Sequence, residues 1–190
     1  STPAKTTDAS KSGPAQTPAT NTKPAKTAES SKPGSPKAAP SEEVDLPDLD
    51  FKARPIDTLT APTVIAFGSC NKLNKPQNMW DAVNANNPNL WVWLGDIIYA
   101  DTTDMKALAK MYKTLKNVPG YKKMREKTQI VGIYDDHDYG ANDAGKSFPK
   151  KKQSKKCLMD FLDVPLKSAL RKQEGAYTSY TFGKAPQTIK

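Results

Sequence analysis

The sequence predicts an α/β fold: a parallel or mixed sheet flanked by helices and preceded by a disordered segment. Three observations carry this reading. From about Phe51 onward, β-rich apolar runs alternate with stretches of helical periodicity, in the order strand, helix, strand, helices, strand, helix, strand. Each of the first three predicted strands runs straight into polar residues, as a buried strand does on leaving a sheet. The first fifty residues, by contrast, have almost nothing to bury.

Residues 1–50 contain no aromatic residue and eight of the sixteen prolines. Ordering such a stretch costs about 1–2 kcal/mol per residue in backbone entropy, with little apolar burial in return. We read 1–50 as a Pro/Ser/Thr/Lys-rich linker or stalk and 51–190 as the folded domain. The linker holds six Lys against seven acidic residues, whereas the remainder holds 23 basic and 13 acidic ones. A domain this basic suits anionic partners such as phosphate esters, nucleic acid or an acidic surface; a lysine-decorated solvated surface explains it equally.

The first strand signal is TVIAFGSC, residues 63–70. Pro76 suits a helix's first turn, and Met79, Trp80 and Val83 recur at helical spacing, so a helix is expected from Pro76 to Asn86, stopped by Asn86-Asn87-Pro88. LWVWLGD, residues 90–96, is the second strand. Met105, Leu108, Met111, Tyr112 and Leu115 form one helical stripe, with Asp104 as N-cap. Pro119-Gly120 breaks the pattern before a short helix over 121–127. QIVGIYDDHDYG, residues 129–140, is the third strand, and its polar end reads as a loop. A lysine-rich helix follows Phe148, with Leu158, Phe161 and Leu162 on its apolar face. GAYTSYTFG, residues 175–183, alternates like a strand, and another strand starts near Thr188.

Ligands of open α/β sheets bind beyond the carboxyl ends of the strands. Those ends carry Cys70, then Asp96 with Tyr99, then Asp136 with His137, the sole histidine, which sits among three carboxylates. Adjacent carboxylates raise one another's pKa unless protons or a metal relieve them. Each residue also has an ordinary explanation: Cys70 and Tyr99 as core, Gly95-Asp96 as a turn, His137 as a structural imidazole. Together they point to a metal site. The two cysteines fall in dissimilar contexts, so no disulfide scaffold is indicated.

FGSC at 67–70, WLGDIIYADT at 93–102, IYDDHDYGAND at 133–143 and EGAYTSYTFG at 174–183 resemble, in order, the motifs of PhoD-like alkaline phosphatases, members of the calcineurin-like metallophosphoesterases. The resemblance spans roughly residues 60–190. It implies a metallophosphoesterase-type sheet, Fe3+ and Ca2+ as cofactors, and phosphomonoesterase or phosphodiesterase activity. By matched position, Cys70, Asp96 and Tyr99 would bind the trivalent iron, and Asp96 would bridge to the second metal. Asp136 would bind that second metal, with Asp135 as a lower-ranked alternative. His137 would be the catalytic residue, touching phosphate or protonating the leaving oxygen. The metals would polarise the phosphoryl oxygens and activate a water.

Relatives continue past the strand near Thr188 and supply further histidine and aspartate ligands, so this chain alone is expected to hold a partial site, an exposed sheet edge and half a core, with weak or no turnover. The alternative is a basic module gripping polyanions or nucleic acid without metal. It ranks second because the lysines of 146–156 are interleaved with only one aromatic residue, Phe148. For those lysines a solvated helix face is favoured over a place beside substrate. The partner expected is a phosphate-ester substrate, with no specific nucleic-acid partner. No signal peptide or membrane-spanning segment is visible, and the first residue is Ser1, which suggests processing. A stalk ahead of a domain suits export to the periplasm, cell surface or medium, with a possible membrane tether through the N-terminus. Oligomeric state has no sequence signal.

Overall fold

A computed structural model describes residues 45–190; the linker reading of 1–44 lies outside the described residues. Three parallel strands, β1 (Ile65–Gly68), β2 (Leu90–Leu94) and β3 (Gln129–Ile133), form a sheet in the order β1-β2-β3, with Phe67, Val92 and Val131 in one row. The connections contain α1 (Met79–Ala85), then α2 (Met105–Lys116) and α3 (Pro119–Lys127). After β3 come α4 (Asp136–Tyr139), α5 (Lys151–Phe161) and α6 (Ala169–Lys172). A hairpin of β4 (Phe182–Lys184) and β5 (Gln187–Ile189) forms a second, antiparallel sheet. The result is a small mixed α/β domain with two sheets and several helices.

Alternation in LWVWL decides which face of the sheet is covered. Trp91 and Trp93 are buried on one side and meet Trp80 of α1, with ring centroids 5.2 and 5.8 Å away. Tyr121 of α3 closes the cluster at 4.9 Å from Trp80, and its hydroxyl accepts the Trp93 Nε1–H at 3.0 Å. Gly132 lies opposite Trp93 in the register; a Cβ there would come within 2.5 Å of the Trp93 Cβ, so only glycine fits. The other face is open in part: Leu90 on it is buried and Val92 and Val131 are half-buried, but the carboxyl ends of the strands are not covered. Phe67 is 67% exposed, Leu94 51% and Ile133 40%, and the register sets Leu94 beside Ile133. Parallel sheets are ordinarily covered on both faces.

Helix α2 follows its apolar stripe: Met105, Leu108, Tyr112 and Leu115 are buried, and the Asp104 carboxylate caps it by accepting from Lys106 N–H at 2.8 Å. At its far end Lys116 is buried as well. Its ammonium donates to Asp163 at 2.8 Å and to the Asp160 carbonyl at 2.9 Å. Asp163 also pairs with Arg125 of α3 and accepts the Lys52 N–H at 3.1 Å. One buried carboxylate thus ties α2, α3 and the entering chain to the turn after α5. Leu49, within the stretch read as linker, is buried in the same core.

Two expectations need correction. The polar run after β3 is not a loop: Asp135 and Asp138 form a reciprocal capping box, and this nucleates α4 directly at the strand's end. Residues 175–181 are not a strand, and β4 begins only at Phe182. Alternation makes a strand only where one face is buried, and here Tyr177, Thr178, Ser179 and Thr181 are all exposed.

Trp80 touches both sheet tryptophans and lies against Gly120, so the site cannot collapse cheaply. Trp80→Ala is expected to lower unfolding free energy by about 3–5 kcal/mol, read as a fall in urea midpoint.

Candidate metal centre

Because β1, β2 and β3 are parallel, their carboxyl ends open on one side and the loops leaving them meet there. The loop after β2 turns at Gly95, whose φ is +94°; a Cβ would lie 2.7 Å from the Asp135 Cβ, so glycine alone lets the two strand ends approach. Asp96 follows in the left-handed region at φ 49°, as do Cys70 at 56° and Asp101 at 44°. Such conformations cost a non-glycine residue about 1–3 kcal/mol and gather at functional sites. Cysteine, unlike aspartate, has no side-chain chemistry that eases it.

Of the residues expected at the site, Asp96, Asp136 and His137 each place a ligand-capable atom within 4.8 Å of the others. Cys70 and Tyr99 are not part of that triad but attach to it through Asp96. Tyr99 donates its hydroxyl to Asp96 Oδ2 at 2.9 Å, and Cys70 Sγ lies 3.7 Å from the same oxygen. The Tyr99 ring also lies 4.2 Å from the His137 ring, centroid to centroid. Four expected ligands and the expected catalytic histidine therefore converge. Asp135, the lower-ranked alternative, is not in that triad; its carboxylate accepts the Asp136 N–H at 2.9 Å as the cap of α4.

Electrostatics favours a cation here. Asp96 Oδ1 is buried with no hydrogen-bond partner, an unmade bond that normally costs about 1–3 kcal/mol. The Asp143 N–H donates to Asp136 Oδ2 at 2.6 Å, and this is the chief reason its pKa lies below the ordinary carboxylate value. Burial, then hydrogen bonds with Cys70 and Asp96, hold the Tyr99 phenol far above its usual pKa, so it is a neutral donor until a hard cation displaces the proton. Burial pulls the His137 pKa down. The contact between Nδ1 and Asp101 Oδ1 at 2.6 Å, with the charges of Asp101, Asp136 and Asp96, outweighs that and raises it. The donor set of carboxylates, phenol, imidazole and thiol fits a hard or borderline cation. Cys157, the other free cysteine, is buried in the core with its thiol pushed up to about 12.

Two residues escaped the sequence reading. Asp101 holds His137 from across the site, a contact that depends on its left-handed backbone. Asp138 has no solvent exposure and accepts from Ile97 N–H, Ile98 N–H, Asp135 N–H and the Tyr112 hydroxyl, each at 3.1 Å. Its spacing from Asp135 was the available signal, since D-x-x-D is a capping-box variant. The lysines of 146–156 divide: Lys150 donates to the Thr103 carbonyl at 2.9 Å, Lys155 is buried against the Gln173 carbonyl, Lys156 pairs with Asp160 at 2.7 Å, and Lys146 and Lys152 are exposed.

No protein-family model, curated protein or solved structure matches the chain. Among the described residues no helix is long and apolar enough to cross a membrane.

Burial pushes the Asp138 carboxyl from 3.8 up to about 6 against the pull of its four donors. A raised acid pKa means that the protonated form is the one favoured by folding. The associated stability is complete below about pH 4 and is lost as pH rises through about 6, a span of roughly 3 kcal/mol. Carbon-13 NMR of the Asp138 carboxyl should show a titration near 6, and urea midpoints should fall across the same interval.

Proposed function

We propose that the chain is the metal-holding part of a phosphoesterase of the PhoD-like, metallophosphoesterase kind, acting on phosphate mono- or diesters with iron and calcium. The observation that carries this reading is the meeting of Asp96, Asp136 and His137 within ligand distance, with Tyr99 and Cys70 bound to Asp96. The order of the four motifs supports it independently.

In this reading Cys70, Asp96 and Tyr99 would hold the iron, and Asp96 with Asp136 would hold the second cation. Bound there, the cations would supply Lewis acidity at the phosphoryl oxygens. Asp96 would contribute to both, and its Oδ1, buried without a hydrogen-bond partner, is the oxygen that a cation would satisfy. Asp101 fixes His137 through Nδ1, which leaves Nε2 as the atom that faces a substrate. The Asp101, Asp136 and Asp96 carboxylates raise the His137 pKa, a shift in the direction that a general acid to the leaving oxygen needs. Phosphoryl transfer asks mainly for positioning and charge neutralisation, which such a cluster provides.

The test loads the purified chain with Fe3+ and Ca2+, measures bound metal, and follows hydrolysis of p-nitrophenyl phosphate and bis-p-nitrophenyl phosphate. Asp96→Asn is expected to lose the metals. His137→Asn is expected to keep them while any metal-dependent turnover drops by about 10²–10⁴. Absence of stoichiometric metal in the wild-type chain sinks the reading, and metal-independent binding of polyanions would then take its place.

A further inference from the structure

Lys72 stands against the Tyr99 ring, and among the described residues it has no ion-pair partner. Its neighbour Asn71 is buried and clamps this loop to the one after β2: the Asn71 N–H donates to the Asp96 carbonyl at 2.9 Å, and its side-chain amide donates to the Ile97 carbonyl at 3.3 Å. On the other side the Lys72 carbonyl accepts from Lys75 N–H at 3.0 Å and from the Gln77 amide at 3.2 Å. The backbone is therefore held in place while the side chain is exposed. Its ammonium sits 4.6 Å from the centre of the Tyr99 ring, the ring that also meets His137.

A lysine whose ammonium rests on the ring that bonds Asp96 and meets His137 is one contact away from the carboxylates of the cluster. None of the ion pairs among the described residues includes Lys72. Three acids of the cluster are engaged elsewhere by at least one oxygen, Asp96 Oδ2 with Tyr99, Asp101 with His137 and Asp136 with the Asp143 N–H, while the unpartnered Asp96 Oδ1 is buried out of solvent. The ammonium rests on an aromatic face, a weak hold at an exposed site. Its three N–H donors stay available to an anion arriving at the cluster.

We propose that Lys72 is a substrate-binding residue that, from over the face of the Tyr99 ring, grips a non-bridging phosphoryl oxygen of an ester held at the cluster. The proposal rests on the phosphoester reading and adds the group that answers the ester's own negative charge. Lysine suits this role as a compact charge with several donors, and a charge-assisted hydrogen bond to phosphate needs no fixed fork geometry. His137 and Lys72, both in contact with Tyr99, then approach the phosphoryl group as two separate donors. The substrate class favoured is one with a dianionic phosphoryl end, since a monoanionic diester offers this contact less charge.

The experiment is calorimetric titration of inorganic phosphate into the full chain loaded with iron and calcium, at fixed ionic strength, alongside measured metal content and the thermal midpoint. Wild type, Lys72→Met and Lys72→Arg are compared. Because the side chain is exposed, both variants are expected to keep fold and metals. Phosphate is expected to bind Lys72→Met about tenfold or more weakly, with Lys72→Arg within about threefold of wild type. Unchanged phosphate affinity in metal-loaded Lys72→Met overturns the proposal and leaves the phosphoester reading standing. Loss of metal in Lys72→Met, or a Lys72→Arg as weak as Lys72→Met, also overturns it. A metal-loaded wild type that binds no phosphate removes both.

Discussion

The site depends on one buried carboxylate. Asp138 takes two N–H donors from the loop after β2, one from the turn after β3 and a hydroxyl from α2, with none of its surface exposed. Without it, those N–H groups would be buried and unpaired, which is costly enough to hold the two loops together. A further bond from Thr102 N–H to the Gly140 carbonyl closes the other end of the same pair of segments. Side chains on a helix turn by about 100° per residue. With Asp138 pointing into the domain, Asp136 and His137 on the same helical turn are directed elsewhere, towards Asp96 and Asp101.

Around that fixed point the chain gathers more negative charge and more strain than a structural turn requires. Asp96, Asp101 and Asp136 crowd one rim, and Cys70, Asp96 and Asp101 all adopt left-handed backbone. Part of the charge is answered locally, by the Asp143 N–H, the Tyr99 hydroxyl and the His137 ring. One oxygen of Asp96 is not answered. A fold that only needed to turn there could have used glycine or asparagine at each position without these costs. The retained carboxylates and thiol are the physical argument for a cation, separate from any motif.

Much of this was legible in the sequence. Periodicity located β2, β3 and α2, including the Asp104 cap, because those elements bury one face against a core and so must carry an apolar pattern. The convergence of Asp96, Asp136 and His137 followed from parallel topology alone. What was not legible depends on contacts between distant residues. Helix α4 exists through a carboxylate-to-backbone cap, not through an apolar stripe, so its four polar residues read as loop. Residues 175–181 alternate, but apart from Ala176 in the core and the half-buried Tyr180 they pair with no strand and are mostly exposed. Asp101 and Asp138 carry the same letter as the ligands, and only the folded chain separates the one that orients an imidazole from the one that staples two loops.

The open end of that sheet face bears directly on how such a site can work. Leu94 and Ile133 are the last residues of β2 and β3, and both are exposed a step or two before Gly95-Asp96 and Asp135-Asp136. Water reaching the strand ends from that side raises the local dielectric and weakens charge interactions over distance. Contacts at hydrogen-bond range suffer least, because no water intervenes. The His137–Asp101 and Tyr99–Asp96 pairs are therefore the interactions that keep their strength, and the scattered surface lysines are the ones screened most. Any layer covering Leu94 and Ile133 would exclude that water and strengthen every charge at the rim together. The sheet thus couples coverage of an apolar face to the electrostatics of a polar site, through residues adjacent on the same two strands.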